Sequence, residues 1–135
     1  MVKYFVFDTN ALISAHIKEG SVSAKAYDRA FEKRVLVVSW ETFEEFATRF
    51  SQPKFKRYQS DEDRAEVILR IKRLSLTVEP KIEVKVCSDP DDDKFLNLAL
   101  AVTANCIVTG DKKLLILHPF QGIPILSPAD FLNQF

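Results

Sequence analysis

Glycine is scarce in this 135-residue chain. Gly20, Gly110 and Gly122 are too few and too scattered for a phosphate-cradling loop of the G-x-x-x-x-G-K-S/T or G-x-G-x-x-G kind. Histidine is scarcer still. His16 and His118 lie far apart and share no helical spacing, so a zinc site and Ser-His or Cys-His catalysis both lack parts. The two cysteines, Cys87 and Cys106, form no C-x-x-C and flank or sit in apolar segments, which predicts reduced, packed thiols rather than a disulfide. No apolar run approaches the ~20 residues of a membrane span, and the N-terminus carries no charged-then-apolar signal pattern. A membrane is therefore not an expected partner, and the expected location is the cytoplasm. Net charge is absent too: 19 bases balance 19 acids, so bulk charge leaves no nucleic-acid footprint.

What remains is an ordinary globular composition with an uneven scatter of charge. At 47% hydrophobic and 28% charged residues, the chain fits neither a disordered segment nor a coiled coil. A chain of this length buries roughly two-thirds of its extended surface, which predicts a single domain over residues 1–135 with one sizeable core. Between Arg49 and Arg73, eight bases (Arg49, Lys54, Lys56, Arg57, Arg64, Arg70, Lys72, Arg73) stand against four acids. From Asp89 to Asp93 there are four Asp in five positions. A basic arm facing an acidic cluster suits a polyanion held against a bound cation. Either run alone is equally a solvated helix face or an acidic turn.

The elements alternate. Tyr4 to Phe7 reads as a strand, and Asp8-Thr9-Asn10 supplies capping residues for a helix that follows. A second helix is predicted from Ser21 to Lys33, and Val35 to Val38 is a second apolar strand ended by Ser39. From Trp40 to Phe50, the residues Phe43, Phe46, Ala47 and Phe50 recur at helical spacing, and Pro53 closes that helix. Asp61 to Leu74 carries acids in its first turn and bases in its last, as a helix dipole favours. Leu76 to Val78 is a weak strand, and Ile82 to Val86 is either a strand or an extended loop. Asp91 to Ala104 is apolar almost all round and predicts a buried helix. Cys106 to Thr109 and Ile123 to Leu126 are the last strands, and Ser127-Pro128 opens a final helix to about Leu132.

Short, continuously apolar strands between helices predict an α/β fold. The expected form is a three-layer sandwich around a central, mostly parallel sheet of about five strands. Ligands in such folds bind outside the carboxyl ends of the strands. Asp8 closes the first strand and Asp111 closes the fourth. An acid after a strand is more often a helix cap or a turn residue than a ligand. Two of them beside an acidic helix start are harder to dismiss. If the first and fourth strands are neighbours, about 5 Å apart, their terminal carboxylates lie close enough to share one cation. Unpaired, such charges repel by on the order of 1–4 kcal/mol per close pair. Magnesium removes that repulsion, prefers carboxylate oxygens and works on phosphate-containing substrates.

Four segments carry a resemblance. Phe7-Asp8-Thr9-Asn10-Ala11-Leu12-Ile13-Ser14, Ser39 through Glu45-Phe46 with Gln52-Pro53-Lys54-Phe55, Asp89-Pro90-Asp91-Asp92-Asp93-Lys94-Phe95-Leu96, and Ile107-Val108-Thr109-Gly110-Asp111 occur in that order. Together they resemble the motifs of PIN domains, the fold of metal-dependent ribonucleases that includes VapC-type toxins of bacterial toxin–antitoxin pairs. The resemblance implies a catalytic and metal-binding acidic set of Asp8, Glu45, Asp93 and Asp111, supported by Thr9, Asn10 and Thr109. It implies Mg²⁺ or Mn²⁺ as cofactor, RNA as substrate, a cognate antitoxin as partner and a homodimer as the assembly. Arg49, Lys54, Lys56 and Arg57 are the candidate RNA-backbone contacts, with Phe55 and Tyr58 interleaved among them. Periodicity alone leaves the second and third acids open. It places Glu45 nearly opposite the Phe43/Phe46/Phe50 stripe, with Glu41 and Glu44 as alternatives, and Asp89 or Asp92 could replace or assist Asp93.

Rival chemistries lack residues. A phosphoaspartate enzyme of the haloacid-dehalogenase kind needs a second Asp two places after Asp8, where Asn10 stands. A response-regulator receiver needs an acidic pair after the first strand and a Lys after the last, where Ile125-Leu126-Ser127 stands. A catalytically idle PIN-fold module that binds RNA or protein is the non-enzyme alternative, and the complete acidic set argues against it.

Overall fold

Alternation along three short strands decides the layers. In β1 (Tyr4–Phe7), Phe5 and Phe7 enter one apolar cluster and Val6 another. In β2 (Val35–Val38), Leu36 and Val38 part from Val37 in the same way, and in β4 (Cys106–Val108) Cys106 and Val108 part from Ile107. Both faces are apolar, which is why these strands read as unbroken hydrophobic runs. The edge strands β3 (Leu76–Thr77) and β5 (Ile125–Leu126) complete a five-stranded sheet in the order β3-β2-β1-β4-β5, all of whose strand pairs are parallel. The computed structural model describes residues 2–32 and 35–135.

Helices α1 (Thr9–Ile17), α2 (Val22–Glu32), α3 (Trp40–Phe50), α4 (Asp61–Leu74) and α7 (Pro128–Gln134) supply the cluster on the first face. Phe46, Phe50 and Phe131 are fully buried there, each worth about 1.5–3 kcal/mol of apolar burial. Helices α5 (Asp93–Val102) and α6 (Lys112–Leu115) cover the other face with Phe95, Leu96, Leu98, Ala99 and Leu114. Three layers result, as the sequence predicts. Among the described residues, no helix is long and apolar enough to cross a membrane.

Most elements stand where the sequence puts them, and the differences have local causes. Lys33, the expected end of the second helix, lies outside the described residues. Of its two expected forms, the Ile82–Val86 stretch takes the loop, a strap tied to α5. Helix α5 starts at Asp93, not Asp91, because Pro90–Asp92 winds as a 3₁₀ turn whose cap is Asp89, accepting the Asp91 N–H at 3.0 Å. Strand β5 starts at Ile125, not Ile123, because Phe120 and Ile123 pair across a tight turn with Gln121 at φ 47° and Gly122 at φ 82°. The left-handed φ of Gly122 suits a residue without Cβ. Helix α6 has no counterpart among the expected elements. Both cysteines are free thiols, Cys106 buried and Cys87 half-buried.

One buried base ties the basic arm to the fold. Arg64 on α4 donates to the carbonyls of Phe50 (2.6 Å), Gln52 (3.1 Å) and Gln59 (3.2 Å), and pairs with Asp61. It is a structural member of that arm, whereas Lys54, Lys56 and Arg57 stay exposed. Arg64→Met removes three carbonyl anchors and should cost at least about 2 kcal/mol. Urea unfolding measures the loss, and hydrogen exchange should show it as lowered protection around residues 52–59 with the sheet amides still protected. Unchanged stability would remove Arg64 from this role.

Candidate active site

Two strand-end acids meet through one threonine. Asp8 leaves β1 and caps α1, its Oδ1 accepting the Ala11 N–H at 2.8 Å. Its Oδ2 accepts from the Thr109 hydroxyl. The Thr109 oxygen in turn accepts the Asp111 N–H at 2.9 Å, and Asp111 Oδ1 accepts the Lys113 N–H at 2.9 Å. Parallel pairing of Phe7 with Val108, continued by Asp8 N–H donating to the Val108 carbonyl at 3.1 Å, sets this arrangement.

Asp92, the last residue of the 3₁₀ turn, is the third acid of the group. Its carboxyl feels the neighbouring carboxylates of Asp111, Asp89 and Asp8. Asp92 Oδ2 is buried and meets no hydrogen-bond donor of the protein. Burial first, then those carboxylates, pushes the Asp92 pKa up to about 6. Asp8 is pushed up to about 6 as well, chiefly by burial; the Thr109 and Ala11 hydrogen bonds pull the other way, while Asp111 and Glu45 add to the rise. Among the described residues no lysine or arginine pairs with Asp8, Asp92 or Asp111.

Glu45 has the opposite surroundings. Its Oε1 accepts from the Thr9 hydroxyl, and its Oε2 lies 2.6 Å from Lys94 Nζ and 3.7 Å from Arg49. Burial would raise its carboxyl, but the bonds from Lys94 and Thr9 and the charges of Lys94 and Arg49 hold it below the usual range. The alternatives Glu41 and Glu44 are exposed. Asp93 is buried, and one of its oxygens serves the strap: its Oδ1 accepts the N–H groups of Cys87 (2.8 Å) and Val86 (3.2 Å), which fastens the strap to α5. Burial would raise the Asp93 carboxyl; those bonds, with one from the Cys87 thiol, hold it low instead. Asn10 is exposed, and Asp89 serves as the cap of the 3₁₀ turn.

Hydrogen bonds thus link Asp8, Thr109 and Asp111, Asp92 lies within reach of their charge, and the bonded pair of Thr9 and Glu45 adjoins Asp8. Asp93 gives one oxygen to the strap. Lys94 is a site residue that the sequence reading passes over. Its signal was a lone base in an otherwise apolar helix, DKFLNLALAV, where a buried ammonium needs a partner. The basic arm lies on the surface near the C-terminal end of α1, where Gln59 bonds the His16 carbonyl. Lys54 lies over the Phe55 ring at 5.2 Å, Arg57 over the Tyr58 ring at 4.9 Å, and Lys56 stands 3.6 Å from Asp61.

Among the described residues, no group of three or more His, Cys, Asp or Glu side chains is already gathered to hold a metal ion. The donor set of Asp8, Asp92 and Asp111 nonetheless fits a hard divalent cation. All its donors are carboxylate oxygens, one of them is orphaned, and no base offsets their charge.

A family model described as PIN domain matches residues 4–113. A protein from Methanocaldococcus jannaschii, itself uncharacterized, is 29% identical over 140 aligned residues, spanning 96% of this chain and 90% of the other. The crystal structure of a Pyrobaculum aerophilum protein superposes with a TM-score of 0.64 at 15% identity, over 98% of this chain and 88% of that one. VapBC-1 from nontypeable Haemophilus influenzae gives a TM-score of 0.63 at 14% identity, over 93% of this chain and 98% of that chain. VapBC2 from Rickettsia felis, bound to a DNA fragment from its promoter, gives 0.62 at 11% identity, over 90% and 96%. At these identities the structural neighbours establish the fold.

The raised acids make stability depend on pH. The folded protein holds the Asp8 and Asp92 protons more tightly than the unfolded chain does. Their contribution is complete below about pH 4 and is lost as the pH climbs to about 6. For Asp8 alone, a move from 3.8 to about 6 corresponds to about 3 kcal/mol. Asp8→Asn keeps a capping oxygen and removes the charge. In chelator, urea titrations from pH 4 to 7 should show a smaller fall in stability for that variant than for the parent. Parallel pH profiles would contradict the assignment.

Proposed function

This chain belongs to the PIN-domain family, and we propose that it is a metal-dependent endoribonuclease, the toxin half of a toxin–antitoxin pair. The observation that carries the proposal is the uncompensated trio Asp8, Asp92 and Asp111 at the carboxyl edge of β1 and β4. In this reading the trio would hold Mg²⁺ or Mn²⁺. The ion, when bound, supplies a Lewis acid for the scissile phosphate and a water of lowered pKa.

The chain's own residues do the rest. Thr109 orients Asp8 and Asp111 together, so the first and fourth acids move as one unit. The α1 N-terminus fixes the other Asp8 oxygen. Glu45, tied to Thr9 and Lys94, forms the wall on the α3 side. Asp93, the third acid that the family resemblance implies, acts here by holding the strap, and Asp92 takes the ligand position. Lys54, Lys56 and Arg57 offer exposed positive charge to a phosphate backbone, and Tyr58 an exposed ring on which a base could stack. The VapBC neighbours support an antitoxin partner, and the homodimer implied by the family resemblance remains part of the proposal.

Asp92 and Asp93 separate the ligand role from the anchoring role. Asp92→Asn should lower Mg²⁺-dependent cleavage of single-stranded RNA more than about a hundredfold, beyond the 10–100-fold typical of residues that only support a ligand. Asp93→Asn should fall within that range. The reverse order would return the third position to Asp93. Replacing Lys54, Lys56 and Arg57 with Ala should weaken RNA binding and flatten its dependence on salt by about one counterion per lost contact. No metal-dependent cleavage of any RNA by the parent would replace the nuclease with an idle scaffold.

A further inference from the structure

The two halves of the site differ in how their negative charge is met. On one side, Asp8, Asp92 and Asp111 have no lysine or arginine partner among the described residues. On the other, both oxygens of Glu45 are occupied: Oε1 by the Thr9 hydroxyl and Oε2 by Lys94 Nζ at 2.6 Å. Lys94 is itself buried. Its Nζ also donates to the Asp91 carbonyl at 2.7 Å and stands 3.9 Å from Asp91 Oδ1. Two of the three ammonium donors are thus met by hydrogen bonds, from α3 and from the 89–92 turn, and the Asp91 carboxylate adds a more distant negative charge. A buried cation so placed resists displacement, and it repels a second positive charge brought to the same carboxylate.

We propose that Lys94 is a built-in cation of this site, supplying to Glu45 the positive charge that a carboxylate in such a cluster otherwise takes from a second divalent ion. The chain then binds one metal ion, at Asp8, Asp92 and Asp111, and not two. The inference rests on the metal-dependent reading above. Lys94 acts as a positioning residue, because it joins Glu45 on α3 to the turn that carries Asp92. The same contact explains why a largely apolar helix carries its one base at its second position.

The test is the number of Mn²⁺ ions bound by the full, metal-stripped chain, counted from the loss of the free-ion electron paramagnetic resonance signal. One ion per parent chain is expected. Lys94→Met leaves Glu45 Oε2 with only the Arg49 guanidinium at 3.7 Å and should admit a second ion. Glu45→Gln should leave the Mn²⁺ affinity of the parent site within about threefold, because Glu45 is not its ligand. That variant decides the matter if Lys94→Met fails to fold. Two ions per parent chain, one ion in a folded Lys94→Met, or a loss of tenfold or more in Glu45→Gln would each overturn the proposal. Two ions together with metal-dependent RNA cleavage would overturn it and leave the nuclease reading standing. No bound ion and no cleavage would remove both.

Discussion

Asp8 is a buried carboxylate fixed at both oxygens, by the α1 N-terminus on one side and by the Thr109 hydroxyl on the other. Those bonds lower its pKa, yet burial outweighs them and raises it to about 6. The position is not adjustable, because the parallel pairing of β1 with β4 delivers Asp8 and Thr109 to the same point. Asp111 follows Thr109 by two residues and is drawn in by its own N–H. Asp92 then arrives from the other layer, at the end of the 3₁₀ turn, and its pKa rises for the same reasons. The sheet register therefore obliges the fold to concentrate like charge around a carboxylate that is itself buried.

The surrounding architecture keeps that concentration in place. Helix α5 packs on the far face of the sheet with Phe95, Leu96, Leu98 and Ala99, so the turn before it cannot drift from the carboxyl edge. The strap from 82 to 87 is pinned to α5 at two points, Val84 N–H to Asn97 Oδ1 at 2.7 Å and Cys87 N–H to Asp93 Oδ1 at 2.8 Å. Asp93 and Asp92 are adjacent in sequence and carry different loads: one closes a loop, the other adds charge to the cleft. Lys94, the next residue, returns positive charge to Glu45. Three consecutive residues thus set the local balance of charge.

The layers and the strand-end acids were legible in the sequence because they follow from short-range rules. Apolar runs of four residues between capped helices predict a covered parallel sheet, and Asp8 and Asp111 fall at strand ends by counting alone. The division of labour among Asp89, Asp92 and Asp93 was not legible. It depends on Pro90–Asp92 winding as a 3₁₀ turn, which rotates each side chain relative to an α-helix beginning at Asp91. Glu45 was hidden for a different reason. A helix has an outer face only until another element covers it, and α5 brings Lys94 across that face of α3. Arg64 illustrates the same limit: in sequence it belongs to a basic run, and in space it is a buried clamp for the loop carbonyls.

In the proposed site, Asp8 and Asp92 are crowded acids whose charge a divalent cation would meet. Carbon-13 NMR of the aspartate carboxyl groups, titrated with and without Mg²⁺, measures this residue by residue. In metal-free protein both carboxyls should titrate near pH 6, and saturating Mg²⁺ should drive both midpoints below that of an ordinary aspartate, about 4. Midpoints near 4 without metal, or midpoints near 6 that Mg²⁺ fails to move, would contradict that site.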